Sequence, residues 1–128
     1  MASLKELESV QFPEITHTQL VKYAGASGDF NPIHTVEPFA VQAGLGSVIA
    51  HGMLVMGFIG ETIPRWFENH AIKKFSGRFK GMTKPGEKIV ISGHVVEEKE
   101  GRLFCTAQAA NADGDVKIIA KFEVVKKL

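Results

Sequence analysis

The sequence has one cysteine, Cys105, among 128 residues, so no intrachain disulfide can form and no cysteine-based zinc site can be assembled. That usage suits a reducing compartment. Met1 to Glu8 mixes charged with apolar residues and lacks the apolar run of a secretory signal, so a cytoplasmic location is expected. A surplus of charge is missing too. Fifteen Lys and Arg stand against fourteen Asp and Glu, a formal charge of +1, which offers no global field to a nucleic acid or an anionic membrane. There is no Walker sequence, and Gly44-Leu45-Gly46 lacks the third glycine and the preceding strand of a dinucleotide fingerprint. The length is short for two cores, so residues 1–128 read as a single domain.

What is present is ordinary globular material, 45% hydrophobic and 23% charged. A charge-free run over residues 38–60 is long enough to span a bilayer. It contains Pro38, Gln42, Ser47, His51 and five glycines, a poor lipid-facing helix, and reads instead as a loop followed by a helix buried in protein.

Thr16 and Gln19 have capping-box spacing, which predicts a helix over about residues 17–25, closed by Gly25 and Gly28. Residues 26–47 read as irregular, broken by Asn31-Pro32 and Gly44-x-Gly46, with one helical turn around Val36 to Ala43. From His51 to Ile63 the chain is apolar around nearly its whole circumference, as in a helix enclosed on most sides. Residues 72–82 alternate as a strand. More strands are expected at about 88–97, 102–111 and 116–125, after turns at Pro85-Gly86, Glu100-Gly101 and Asp113-Gly114. The predicted class is α+β: helix and loop first, then an antiparallel sheet curled around one greasy helix. Open sheet edges favour pairing with a second copy, so a homodimer is expected.

The densest set of reactive groups is Tyr23 to His34. Asp29 and His34 lie five residues apart with Pro32 between them, which excludes a regular helix and lets the loop aim both at one point as an acid–base pair. A turn-capping aspartate and a satisfied surface histidine would give the same spacing. Ala50-His51-Gly52-Met53 opens the apolar helix. Amides of a first turn have no internal partner, and a glycine admits a ligand closely, so Gly52 is a candidate oxyanion donor; tight helix–sheet packing would also call for it. Lys74, Arg78 and Lys80 fall on one side of a strand, where they could meet the phosphates of coenzyme A or of a carrier-protein arm. Asp29, His34 and His51 could in principle ligate a metal, but no ligand pair at helical spacing supports one, so neither metal nor other cofactor is expected. Cys105, in an alternating strand, reads as a packed thiol.

Ser27-Gly28-Asp29-x-Asn31-Pro32-Ile33-His34, with Ala40 six residues on, resembles the signature of the MaoC-like dehydratases, which include the (R)-specific enoyl-CoA hydratases. The likeness continues through Ala50-His51-Gly52-Met53, Arg78-Phe79 and Pro85-Gly86-Glu87, and so spans roughly residues 10–125. The resemblance implies a hot-dog fold, dimers, and hydration of trans-2-enoyl thioesters to (3R)-hydroxyacyl thioesters. By resemblance, Asp29 and His34 are the catalytic pair, Asn31 shapes their loop, and the Gly52 amide holds the thioester oxygen. Phe30, His51, Leu54, Arg78 and Lys80 are placed on the substrate side, with Val36 and Phe39 as further guesses for the acyl lining. A hot-dog thioesterase and a non-catalytic acyl-thioester binding module remain the competing readings.

Overall fold

The computed structural model describes residues 4–128. In chain order the elements are β1 (Lys5–Gln11), α1 (His17–Ser27), a 3-10 turn (Pro32–His34), α2 (Glu37–Gln42), α3 (Gly52–Trp66), β2 (His70–Phe79), β3 (Ile89–Lys99), β4 (Arg102–Asn111) and β5 (Val116–Lys126). The five strands form one antiparallel sheet in the order β1-β3-β4-β5-β2, with α3 touching every strand. The α+β architecture read from the sequence is the one observed.

The predicted capping box starts α1: the Thr16 side chain accepts the Gln19 amide at 3.0 Å, and the Gln19 side chain accepts the Thr16 amide at 3.4 Å. Gly28 ends the helix in the left-handed region, φ 79°, its amide donating to the Ala24 carbonyl. At the other hairpin, Glu100 and Gly101 both have positive φ, 54° and 76°, the geometry a two-residue turn needs to match strand twist.

α3 buries Val55, Met56, Phe58, Ile59, Thr62 and Ile63, each large apolar one worth about 1.5–3 kcal/mol against exposure. The sheet accommodates it with a row of small residues. Gly93, Ala107, Ala120 and Gly77 pair in register across β3, β4, β5 and β2. A Cβ on Gly77 would come within 2.7 Å of the Met56 sulfur, and one on Gly93 within 3.0 Å of the Trp66 ring. Small side chains here therefore set how deeply the helix sits.

Three elements differ from the sequence reading. β1 is a strand where only a mixture of charged and apolar residues was noted; it is an edge strand pairing with β3 alone, so a single buried residue, Leu7, carries its inward signal. α3 continues beyond Ile63 through Pro64 to Trp66, because a proline this near a helix end forfeits only one interior bond, and the Trp66 indole donates to the Glu8 carbonyl at 2.7 Å. β2 begins earlier and stops at Phe79. Among the described residues, no helix is long and apolar enough to cross a membrane; the charge-free run 38–60 is α2, loop and α3.

Candidate active site

Between α1 and the 3-10 turn, short side chains hold the backbone at two-residue steps. Ser27 Oγ accepts the Asp29 amide at 3.1 Å, Asp29 Oδ1 accepts the Asn31 amide at 3.2 Å, and Asn31 Oδ1 accepts the Ile33 amide at 3.2 Å. These are turn-forming bonds that compete with helix continuation. Pro32 starts the 3-10 turn, whose amide it does not need. The chain thereby bends back and brings His34 Nε2 to 3.8 Å from Asp29 Oδ2. Asn31 thus shapes the loop.

The two sides of this gap have defined chemistry. His34 Nδ1 lies 2.8 Å from the Ile49 carbonyl, which can only accept, so Nδ1 carries a hydrogen and, in the neutral ring, Nε2 presents a lone pair. Asp29 uses Oδ1 on the Asn31 amide and leaves Oδ2 free. Two acceptors 3.8 Å apart make no direct hydrogen bond. A water donating to both, with legs of about 2.8 Å, fits across them.

α3 begins beside this gap. His51 is its N-cap residue with no side-chain cap bond, and the His51 carbonyl accepts the Leu54 amide. Gly52 and Met53 are the first helical residues, whose amides have no partner within the helix and carry the positive end of its dipole. A Cβ on Gly52 would lie 2.8 Å from the Phe79 ring, so that ring lies directly against the glycine.

Two hollows meet at Gly52 and Phe79. The larger, about 620 Å³, is lined by Tyr23, Ser27, Asp29, His51, Gly52, Met53 and Phe79. The smaller, about 190 Å³, is reached by His34, Val55, Thr83 and Lys117. Lys117 is 7% exposed; its ammonium is 2.9 Å from Glu87 Oε1 and donates to the Met82 carbonyl at 2.7 Å. Burial alone would raise the Glu87 pKa, but hydrogen bonds from the Lys84 amide, Asn111 and Lys117, together with the Lys117 charge, outweigh it and hold the carboxyl below its usual range. Phe79, Thr83 and Lys117 were not singled out from the sequence as site residues. The strand alternation marked Phe79 as facing opposite to Arg78, but only the register of β2 against β5 shows which face looks at α3.

That register also relocates the basic residues. Arg78 pairs with exposed Ile119 and Phe79 with buried Ile118, so Arg78 and Lys80 line a separate hollow with Ser76 and Lys121 on the sheet's outer face. Phe30, Val36 and Phe39 are exposed, and Leu54 packs against the core; none of the four lines either hollow at Gly52. His51 is buried and contributes to the wall of the larger one. Cys105 is buried, which pushes its thiol up to about 11 and leaves it a packing group.

One nitrogen or oxygen from each of Asp29, His34 and His51 falls within 4.8 Å of the others. The two rings lie face to face, centroids 3.8 Å apart and planes 23° from parallel. Ring lone pairs lie in the ring planes, so the two do not converge on a single ion.

The MaoC like domain family matches residues 5–114. A fatty acid synthase subunit beta of Gibberella zeae is 34% identical over 129 residues, covering 98% of this chain and 6% of that subunit. The chain spans 5 to 6% of the length of the fungal fatty acid synthase beta subunits it matches. A 3-hydroxybutyryl-CoA dehydratase of Methylorubrum extorquens is 29% identical over 121 residues, covering 86% of this chain and 77% of that enzyme. Among solved structures, the (R)-hydratase from A. caviae involved in PHA biosynthesis superposes with a TM-score of 0.85 at 19% identity, over 98% of this chain and 99% of that one. The fold is thus the hot-dog fold.

Proposed function

The chain belongs to the MaoC-like dehydratase family, and on that premise we propose that it adds water reversibly to trans-2-enoyl thioesters, forming (3R)-hydroxyacyl thioesters. The observation that carries this reading is the pair of free acceptors, Asp29 Oδ2 and His34 Nε2, 3.8 Å apart beside the unpaired amides that open α3. A water held by both acceptors through its hydrogens keeps its lone pairs free, one of them available for the β-carbon. As the C–O bond forms, electron density moves through the conjugated system onto the thioester oxygen, which accepts a hydrogen bond from the Gly52 amide. One water proton passes to the acid–base pair and one proton is delivered to the α-carbon. The reverse sequence eliminates water.

The smaller hollow favours short acyl chains. Its 190 Å³ is the room of roughly six waters at about 30 Å³ each, enough for an acyl group of a few carbons. Coenzyme A and a carrier protein are both eligible carriers of that group. We also assign the chain a homodimeric state, supported by β2, an edge strand exposed along most of its length.

The test is the loss of enoyl absorbance with crotonyl thioesters and longer homologues, on coenzyme A and on carrier protein. Turnover that is fastest for the four-carbon substrate is the expected result. Release of free thiol without a change at the enoyl band would instead assign a thioesterase, and tight binding with neither change would assign a binding module.

A further inference from the structure

His51 is a buried side chain beside Asp29 and His34 whose bonding the hydration chemistry does not use. It is 2% exposed. Its Nε2 is 3.1 Å from the Asp29 carbonyl oxygen, its face stacks on His34 at 3.8 Å, and the Tyr23 ring meets it edge-on at 4.8 Å. Its Nδ1 is buried with no hydrogen-bond partner among the described residues. A carbonyl only accepts, so Nε2 carries the ring hydrogen and Nδ1 is bare. Leaving a buried acceptor unpaired is unfavourable, a cost that an ordinary core side chain would not impose.

We propose that His51 is the positioning residue of this site, one nitrogen holding the backbone of Asp29 and the ring face holding the imidazole of His34. The inference rests on the hydration reading. Its content is geometric: Asp29 sits on a loop with its side chain 54% exposed, and the bonds within that loop reach only two residues along the chain. The His51 bond spans 22 residues and ties the loop to the start of α3, the same residue pair that supplies the oxyanion amide. His34 is fixed at one edge by Ile49 and across its plane by His51. Both members of the catalytic pair, and the amide, therefore take their spacing from one ring. Tenths of an ångström matter to a water that must reach two acceptors and a β-carbon together.

Two substitutions separate the contacts. His51→Phe keeps a flat ring against His34 and removes the donor to Asp29. His51→Gln puts an amide nitrogen near the place of Nε2 and removes the ring. Each is expected to lower kcat for crotonyl-CoA about tenfold or more while KM stays within about twofold, the pattern of a group that acts on alignment and not on substrate binding. Because the donor acts through Asp29, His51→Phe introduced into Asp29→Asn should cost less than about a further twofold, a non-additivity that a general packing role would not produce. Nitrogen-15 shifts of the resting protein should show the His51 hydrogen on Nε2. Full additivity with Asp29→Asn, unchanged kcat in both variants, or a hydrogen on Nδ1 would each overturn the assignment. The nitrogen-15 measurement needs no turnover, so a chain that hydrates nothing yet shows the Nε2 hydrogen would refute the reaction and leave the clamp standing.

Discussion

Asp29→Asn is the substitution that most directly interrogates the water-holding pair, because the structure predicts opposite outcomes for fold and rate. Asn can reproduce the Oδ1 bond to the Asn31 amide, now 3.2 Å, and asparagine is favoured in such turns. The side chain is 54% exposed, so stability should change by no more than about 0.5 kcal/mol, or about 2 °C in melting temperature. With Oδ1 so engaged, the amide NH2 replaces Oδ2 and faces His34 Nε2. A donor now stands where an acceptor stood. The water loses one of its two anchors, and the group can no longer take or give a proton. General acid–base catalysis by one side chain supplies about 10²–10⁴ in rate, or about 2.7–5.4 kcal/mol at 1.36 kcal/mol per decade. Crotonyl-CoA turnover should fall by that factor in the enoyl absorbance assay, with the melting curve superposing on that of the unmodified chain. Residual activity above about a tenth, or a rate loss matched by a collapse in melting temperature, would rule out this role for Asp29.

Other consequences follow from neighbouring groups. Gly52→Ala puts a methyl 2.8 Å from the Phe79 ring; that ring is 53% exposed and can turn away, so thermal melting should move by a few degrees at most. Alanine keeps the backbone N–H, so its kcat should drop only as far as the added methyl blocks the thioester oxygen, at most by about 10²–10³, the worth of an oxyanion donor, and a near-normal rate would show that no substrate atom approaches this amide from the side of that methyl. Glu87, whose folded pKa lies below its ordinary value of 4.5, contributes stability that is fully present above that value and is lost as pH falls through the folded one. Melting temperature should therefore fall on acidification below about pH 4.5, and more gently in Glu87→Ala, which at neutral pH should already cost about 3 kcal/mol by leaving the Lys117 ammonium unpaired; an acid slope identical in the two proteins would contradict the pairing. Cys105, its thiol pushed up to about 11 by burial, should resist disulfide reagents in the folded chain and react once denatured, and rapid labelling of the native protein would disprove its enclosure.

The turn that carries Asp29 and His34 was readable in advance because it is local. Ser27, Asp29, Asn31 and Pro32 act on backbone atoms two residues away, and such bonds leave a pattern in a single short segment. α3 was equally plain, since a helix touched by five strands must be apolar on nearly every side. β1 was hidden, because a strand paired on one edge needs few apolar residues, and Leu7 alone among its seven is fully buried. The basic residues illustrate the other boundary of sequence reasoning. Alternation grouped Arg78 with Lys80, but which side of a strand faces the helix depends on its pairing, here Phe79 with Ile118 and Arg78 with Ile119. Lys117 and Thr83 lie far apart in sequence and share the lining of the small hollow, so no spacing could have announced them.

Phe79 is the last residue of β2 and the shared wall of the two hollows at Gly52. A strand terminus is the place where a side chain can be exchanged without disturbing ladder bonds on either side. Trimming or enlarging this one ring would merge or seal the adjoining chambers while Asp29, His34 and Gly52 kept their coordinates. On the hydration reading, the length of acyl chain accepted would thus vary through Phe79 without altering the spacing of Asp29 and His34.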